Sequence, residues 1–392
     1  MSRIALIQLK EQKYLHINLD IGPQKRASYI NNNIEAAIVG QSKVPSSPLY
    51  CQKMSMPDVS EGMNKTDIFN HQTMNNCNSN TSAKDFYLTG FPALQDFQIP
   101  LFLVFLLCYL IILIGNTIII AVVVIDQTLH KPMYFFITNL SVLDILLTTT
   151  TIPKMLAMFL VNAKTISFHV CFLQMYGFHG LAVTESLLLV VMSYDRYEAI
   201  CNPLHYPVKM TKKVNLLLAA CAWVTGLLIP IPVIFQTTLL TFGEKNTVYN
   251  CFCDHLAVVQ AACSDVSVAF QTFLGFSIAM TVSFLPLVLV TLSYVHIIIS
   301  ILKINSNVGR SKAFSTCTSH LIVVCTYYSS IALAYISYRT DLPIDVHIMS
   351  NVVFAILTPL LNPLIYTLRN KEVKCAVNKF LFLKLFPPFI KP

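Results

Sequence analysis

From Phe97 onward, long apolar runs alternate with short polar connections. Residues 97–125, 214–243, 266–302, 313–338 and 346–368 contain no Asp, Glu, Lys or Arg. Residues 132–153 are interrupted only by Asp144, and residues 165–194 only by Glu185. A helix of about 20 apolar residues crosses the hydrocarbon core of a bilayer. The pattern therefore predicts seven crossings and an all-α membrane protein, a seven-transmembrane helix bundle. The fifth run is longer than the bilayer is thick, so it is expected to project beyond it or to begin in a loop.

Basic residues in the short connections set the orientation. One set of connections carries Lys131, then Arg196, Lys209, Lys212 and Lys213, then Lys303, Arg310 and Lys312, with further lysines in the tail. The opposite set holds only Lys164, Lys245 and Arg339, with Lys154 near a helix end. The richer set is expected in the cytoplasm, which puts the N-terminus outside and the C-terminus inside. Three zones follow: residues 1–98 as an extracellular N-terminal segment, 99–369 as the seven-helix domain, and 370–392 as a cytoplasmic tail. No apolar run before the first span is long enough for a signal-peptide core, so that span is expected to serve as an uncleaved signal. Asn64 and Asn80 head glycosylation sequons in the outer segment. Asn139 heads another, on the side where glycosylation does not reach.

Composition supports the membrane reading. Hydrophobic residues make up 55% of the 392 and charged residues 12%, against roughly 25% charged in soluble domains. That balance excludes a cytosolic enzyme, a disordered chain and a nucleic-acid binder, despite a formal charge of +8.

Charge within a span is costly and asks for a reason. Asp144 and Glu185 form either a structural hydrogen-bond network, which Asn116 and Asn362 can join, or a small-cation site of hard oxygens. Asp195-Arg196, where the third span meets the cytoplasm, is either a snorkelling interfacial pair or a switch that holds one helix packing. Pro230, Pro232, Pro286, Pro359 and Pro363 fall inside spans and favour kinks. Cys171, Cys251, Cys253 and Cys263 face an oxidising space, where disulfides are expected; the cluster from Cys251 to His255 is a weaker candidate for metal. In the tail, Val373, Ala376, Val377, Phe380 and Leu381 recur at helical spacing between lysines, as in a short helix on the inner membrane surface.

Five stretches then carry a resemblance. They are LHKPMYFFITNLSVLD (129–144), MSYDRYEAICNPLHY (192–206), Ser293-Tyr294, KAFSTCTSHL (312–321) and PLLNPLIYTLRNKEV (359–373). Together they resemble the vertebrate olfactory receptors, a branch of the rhodopsin-like G-protein-coupled receptors. The resemblance implies a receptor that binds small, mostly hydrophobic odorants in the outer half of the bundle and activates a stimulatory, olfactory-type G protein, raising cAMP at the plasma membrane. It implies no enzyme activity and no cofactor, apart from sodium as an allosteric ion at Asp144 and Glu185. Asp195, Arg196 and Tyr197 match the ion-lock motif, with Tyr294, Asn362, Pro363 and Tyr366 as its switch partners. Cys171 and Cys253 match the bridge between the third helix and the second extracellular loop.

The same resemblance lines the pocket with Phe178, His179, Ala182 and Val183 from the third span. It adds Ser277, Ile278 and Val282 from the fifth, Tyr328, Ile331, Ala332 and Tyr335 from the sixth, and Val352 and Ala355 from the seventh. The alternative for each is plain helix packing. An amine receptor would want an acid where Phe178 stands, and a transporter would want a continuous polar path.

This chain departs from the family pattern at four places. Glu198 replaces an apolar residue after Asp195-Arg196-Tyr197. Gly243 stands where a cysteine is expected, which makes Cys251–Cys263 the candidate second bridge. The N-terminus is much longer than the family's, which would begin near Met74, so residues 1–73 are read as artefactual or disordered. Lys131 and Lys154 are local variants without an evident role.

Overall fold

A computed structural model describes residues 85–243, 246–263 and 266–385. The sequons at Asn64 and Asn80, and the whole of residues 1–73, lie outside the described residues. Seven helical segments are long and apolar enough to cross a membrane. They are α1 (Gln98–Ile125), α2 (Pro132–Val161), α3 (Phe168–Cys201), the broken pair α5 (Lys212–Leu228) and α6 (Ile231–Thr238), α8 (Val266–Leu302), α9 (Asn307–Arg339) and α10 (Ile344–Arg369). Between them lie the one-turn α4 (Tyr206–Lys209) and α7 (His255–Ala261), and α11 (Lys371–Leu385) closes the described chain. The chain is thus a multi-pass membrane protein with a seven-helix bundle.

Helices suit this sequence because a bilayer core offers no water to unpaired backbone groups. α1 shows the consequence: Leu107 is 60% and Ile114 58% exposed, side chains that face lipid. α3 is the most buried of the seven. It is met closely by α5 at Gly226, where an added Cβ would lie 2.2 Å from Thr184 Oγ1. Small residues at such contacts let backbones approach.

Charged residues do not end the helices where the apolar runs stop. α2 continues past Lys154 to Val161. There Lys154 Nζ turns back to donate to the carbonyls of Ala163 at 2.7 Å and Thr165 at 2.6 Å. This variant lysine therefore closes the α2–α3 connection. Lys131, the other, pairs with Glu372 of α11 at 2.6 Å.

At one end of the bundle a small sheet gathers the segment before α1 and two of the connections. β1 (Asp85–Leu88) runs antiparallel to β2 (Thr165–Ser167) and parallel to β3 (Thr247–Val248). Phe86 and Leu88 point inward, and the Phe86 ring packs on Phe168 at 5.8 Å and Phe242 at 5.1 Å. Sequence patterning did not predict this strand, because two inward side chains are too few to establish a period. The tail helix does form: Asn370 Oδ1 accepts the Glu372 and Val373 amides. Its stripe of Val373, Ala376 and Val377 is buried against α1 and α10.

The disulfides correct one expectation. Cys171 and Cys253 are bonded, with their Cα atoms 5.4 Å apart. Cys251 is a free, buried thiol, while Cys263 is disulfide-bonded; the bridge Cys251–Cys263 does not form. The reason lies in the register of the loop. The Cys263 amide donates to the Thr241 carbonyl beside the Phe242–Ala262 bridge, so Cys263 lies against residues 241–243. Cys251 belongs to the segment pinned to α3, where the Cys253 amide donates to Gln174 Oε1 at 2.9 Å.

Candidate functional site

A cavity of about 150 Å3 opens between the helices on the sheet side of the bundle. Phe178, His179, Ala182 and Val183 of α3 line it, with Ile278 and Val282 of α8 and Ile331 and Tyr335 of α9. The structure adds Pro230 and Val233 where α5 meets α6, Asp254 and His255 from the loop, and Tyr338 and Phe354. Ser277, Tyr328, Ala332, Val352 and Ala355 are not among the lining residues. Helix phase explains the difference. On α9 the facing stripe is Ile331, Ala334, Tyr335 and Tyr338, at intervals of three and four. Ala332 stands about 100° away from Ile331 and is exposed. On α10 the wall is made by Asn351 and Phe354, each one residue before the expected Val352 and Ala355; those two are buried in helix packing. Ser277 turns its hydroxyl back to the Phe273 carbonyl at 2.8 Å.

The wall is mostly apolar, with one concentration of polar groups. His179 Nε2 lies 3.4 Å from Asp254 Oδ1, and His179 Nδ1 lies 2.9 Å from the Met175 carbonyl. Asp254 Oδ2 also accepts the Leu256 amide and so caps α7. His255 Nε2 reaches Thr237 Oγ1 at 3.1 Å. Thr237 gives its own proton to the Val233 carbonyl, so the histidine is the donor. Gly275 of α8 makes room for this ring: an added Cβ would lie 2.3 Å from His255 Cε1. Burial pushes His255 down to about 4, assisted by the nearby His179 and opposed by Asp254. Burial alone would raise Asp254, but the hydrogen bond and charge of His179, with His255 beside it, hold it below the usual carboxylate range.

Below the cavity, proline chemistry ties the helices together. Pro286 has no N–H, so the Val282 carbonyl of α8 has no helical partner. Ser186 Oγ of α3 donates to it at 3.3 Å and also meets Tyr328 Oη of α9 at 3.1 Å. Tyr327 Oη donates to the Ala182 carbonyl at 2.8 Å. Ser186 and Tyr327 were not singled out from the sequence; each side chain alone looks like ordinary helix polarity.

Deeper in the bundle, Asp144 and Glu185 are 0% and 1% exposed. Asn362 Nδ2 donates to Asp144 Oδ2 at 2.9 Å. Asp144 Oδ1, Glu185 Oε1 and Asn362 Oδ1 are buried oxygens with no hydrogen-bond partner. A hard cation would suit such a donor set. Among the described residues, no group of three or more His, Cys, Asp or Glu side chains is arranged to hold a metal ion.

At the end opposite the sheet, Arg196 is 7% exposed. Its Nε donates to Asp195 Oδ2 at 3.0 Å, and its Nη2 donates to the same oxygen. Tyr206 Oη donates to Asp195 Oδ1 at 2.7 Å. Tyr197 packs edge-on against His296. Tyr294 Oη meets His320 Nδ1 at 2.7 Å, and their rings stack. Tyr366 is buried with its hydroxyl unpaired. In this arrangement Arg196 is held by Asp195, and Tyr294 is engaged with His320, a partner not foreseen from the sequence. Pro363 stands one turn above Tyr366 in α10.

A family model described as olfactory receptor matches residues 105–384. The human olfactory receptor 2AT4 is 59% identical over 307 residues, covering 78% of this chain and 95% of that protein. The human olfactory receptor 6N1 is 44% identical, covering 76% and 95%. The mouse olfactory receptor 6B9 is 40% identical, covering 76% and 94%. Among solved structures, squid rhodopsin superposes with a TM-score of 0.60 at 16% identity, over 74% of this chain and 87% of that one.

Proposed function

The chain belongs to the olfactory receptor family of seven-helix receptors, which are not enzymes, and on that premise we propose how this member binds and signals. A small, mostly hydrophobic odorant occupies the cavity between α3, α8 and α9. Binding activates a heterotrimeric G protein of the stimulatory, olfactory type and raises cAMP. The receptor sits in the plasma membrane with its N-terminus and the small sheet outside and its tail inside, an orientation that the basic residues of the connections support.

The cavity is the observation that supports this reading most. Its walls are mostly apolar; His179, Asp254 and His255 cluster at one place, and Ser283, Tyr335, Tyr338 and Asn351 add further polar groups to the lining. Such a site suits a molecule with a greasy body and a small polar head. A ligand there touches α3 at Ala182 and Val183, α8 at Val282 and α9 at Ile331. These neighbour the Ser186 junction, where one hydroxyl links the kink of α8 to Tyr328 of α9. A ligand shifts a packing equilibrium only by binding one packing better than the other. The favoured packing here is one in which the end of α9 near His320 swings outward. Tyr294 then leaves His320, Arg196 leaves Asp195, and a groove opens for the α-subunit's C-terminal helix. Tyr294 and Tyr366 stabilise the freed Arg196. Asp144, Glu185 and Asn362 would hold a sodium ion, which supplies charge compensation to two buried carboxylates and favours the closed packing.

The test is an odorant panel on cells carrying a cAMP reporter, with surface expression measured in parallel. Ligand-dependent cAMP that disappears when Val183 or Ala182 is replaced by Phe, at unchanged surface level, supports the cavity as the site. A response indifferent to both replacements removes it.

A further inference from the structure

The third helix holds the connection that follows it at two matched points. Asp195 and Glu198 are three residues apart near the end of α3, so they share one face. Tyr206 and Lys209 are three residues apart on α4, and they meet the first pair in order. Tyr206 Oη donates to Asp195 Oδ1 at 2.7 Å. Lys209 Nζ donates to both Glu198 oxygens, each at 3.0 Å. Asn202 Nδ2 adds a third hydrogen bond to Glu198 at 3.1 Å. Glu198 is 3% exposed although it carries charge, in a place where the family pattern expects an apolar side chain.

α4 is a single turn of four residues, and an isolated turn does not hold itself in place. Its position depends on what it grips. The Asp195 carboxylate is divided: Oδ1 faces Tyr206 and Oδ2 faces Arg196. Fixing one oxygen of a planar carboxylate fixes where the other points. The Tyr206 hydrogen bond therefore aims Oδ2 at the guanidinium, and Tyr206 stays there only while α4 is seated.

We propose that Glu198 is a positioning residue for the Arg196 switch: by clamping Lys209 it seats α4, so that Tyr206 keeps Asp195 turned onto Arg196 and the unliganded receptor stays quiet. This inference rests on reading Asp195–Arg196 as the coupling switch. It assigns to this chain an ionic clamp where hydrophobic packing would otherwise hold the loop. Loosening the clamp frees Arg196 without any ligand.

The experiment measures ligand-independent cAMP per receptor at the surface of cells expressing the full chain. Glu198→Gln, Lys209→Gln and Tyr206→Phe are each expected to raise basal output about fivefold, in the range of an ordinary coupling energy. The Glu198→Gln/Tyr206→Phe double variant is expected to add nothing to either single change, since both act through one carboxylate. Lys209→Arg keeps basal output below that of Lys209→Gln. Lys213→Gln, a change of equal charge at the exposed start of α5, serves as control. If Glu198→Gln fails to reach the surface, the half-exposed Lys209 carries the test alone. Wild-type basal output from Lys209→Gln at equal surface level, or additive effects in the double variant, overturns the inference. Arg196→Ala separates the two readings. If it abolishes signalling while the clamp variants are silent, only the clamp falls. If it signals normally, the switch falls too.

Discussion

Asn116 of α1 donates its side-chain amide to the Pro359 carbonyl of α10 at 3.3 Å. That carbonyl has no helical partner, because the residue four positions on is Pro363, which has no N–H. A polar residue in the first span thus completes the backbone of the seventh. Replacing Asn116 with Leu leaves the carbonyl unpaired in an apolar interior, at a cost of about 1–3 kcal/mol. Thermal unfolding of the purified receptor should shift down accordingly. An unchanged midpoint would show that something else satisfies this carbonyl.

The loop cysteines make a chemical prediction. Cys251 is free and buried, and burial pushes its thiol up, so it should resist alkylation in the folded receptor. After denaturation without reductant, mass mapping should find Cys251 alkylated and Cys171, Cys253 and Cys263 unmodified. Cys251→Ser should still reach the cell surface, and Cys253→Ser should not. A peptide linking Cys251 to Cys263 would contradict this loop arrangement.

Gly275 leaves His255 its place over the cavity. Gly275→Ala puts a Cβ into the imidazole, so the ring and the loop that carries it must move. Odorant potency should fall roughly tenfold, about 1.4 kcal/mol, with surface expression retained. The double change Gly275→Ala/His255→Ala removes the clash and should recover part of the loss. Equal potency in wild type and Gly275→Ala would separate His255 from ligand binding.

His255 also sets a pH window. Its folded value of about 4 lies below the ordinary histidine value, near 6.5. The folded state therefore disfavours its protonation. The stabilisation is complete above about pH 6.5 and is lost as the pH falls toward 4. Asp254, also held low, extends the loss further into acid. Thermal midpoints of wild type should decline across this window, and His255→Gln should flatten the upper part of the slope. Parallel profiles for the two proteins would rule out His255 as the cause.

Arg196→Ala should abolish odorant-evoked cAMP while surface expression persists, since the residue faces Asp195 at the end of α3 rather than the core beneath the cavity. Undiminished signalling would remove Arg196 from the coupling step.

Much of this site was legible in the sequence, for reasons that differ from residue to residue. Asp144 and Glu185 stood out because charge inside an apolar run is rare and costly. Phe178, His179, Ala182 and Val183, supplied by the family resemblance, lie on the cavity wall together, because their spacing puts them on one face of α3. Ala332, Val352 and Ala355 do not. The faces of α9 and α10 that meet the cavity depend on how each helix is rotated, and rotation follows from packing against neighbours. Asp254 and His255 carried no positional signal, since the disulfide from Cys253 to Cys171 and the cap on α7 place them.

The number of crossings, their approximate positions and the rarity of their charges were determined by the sequence alone, because a bilayer admits only long apolar segments that pair their own backbone groups. Tertiary structure decided which carbonyl Asn116 completes, which thiol stays free and which face of each helix meets the cavity. Those outcomes turn on contacts between segments far apart in the chain, and residue order does not encode their relative rotation or depth until the helices pack.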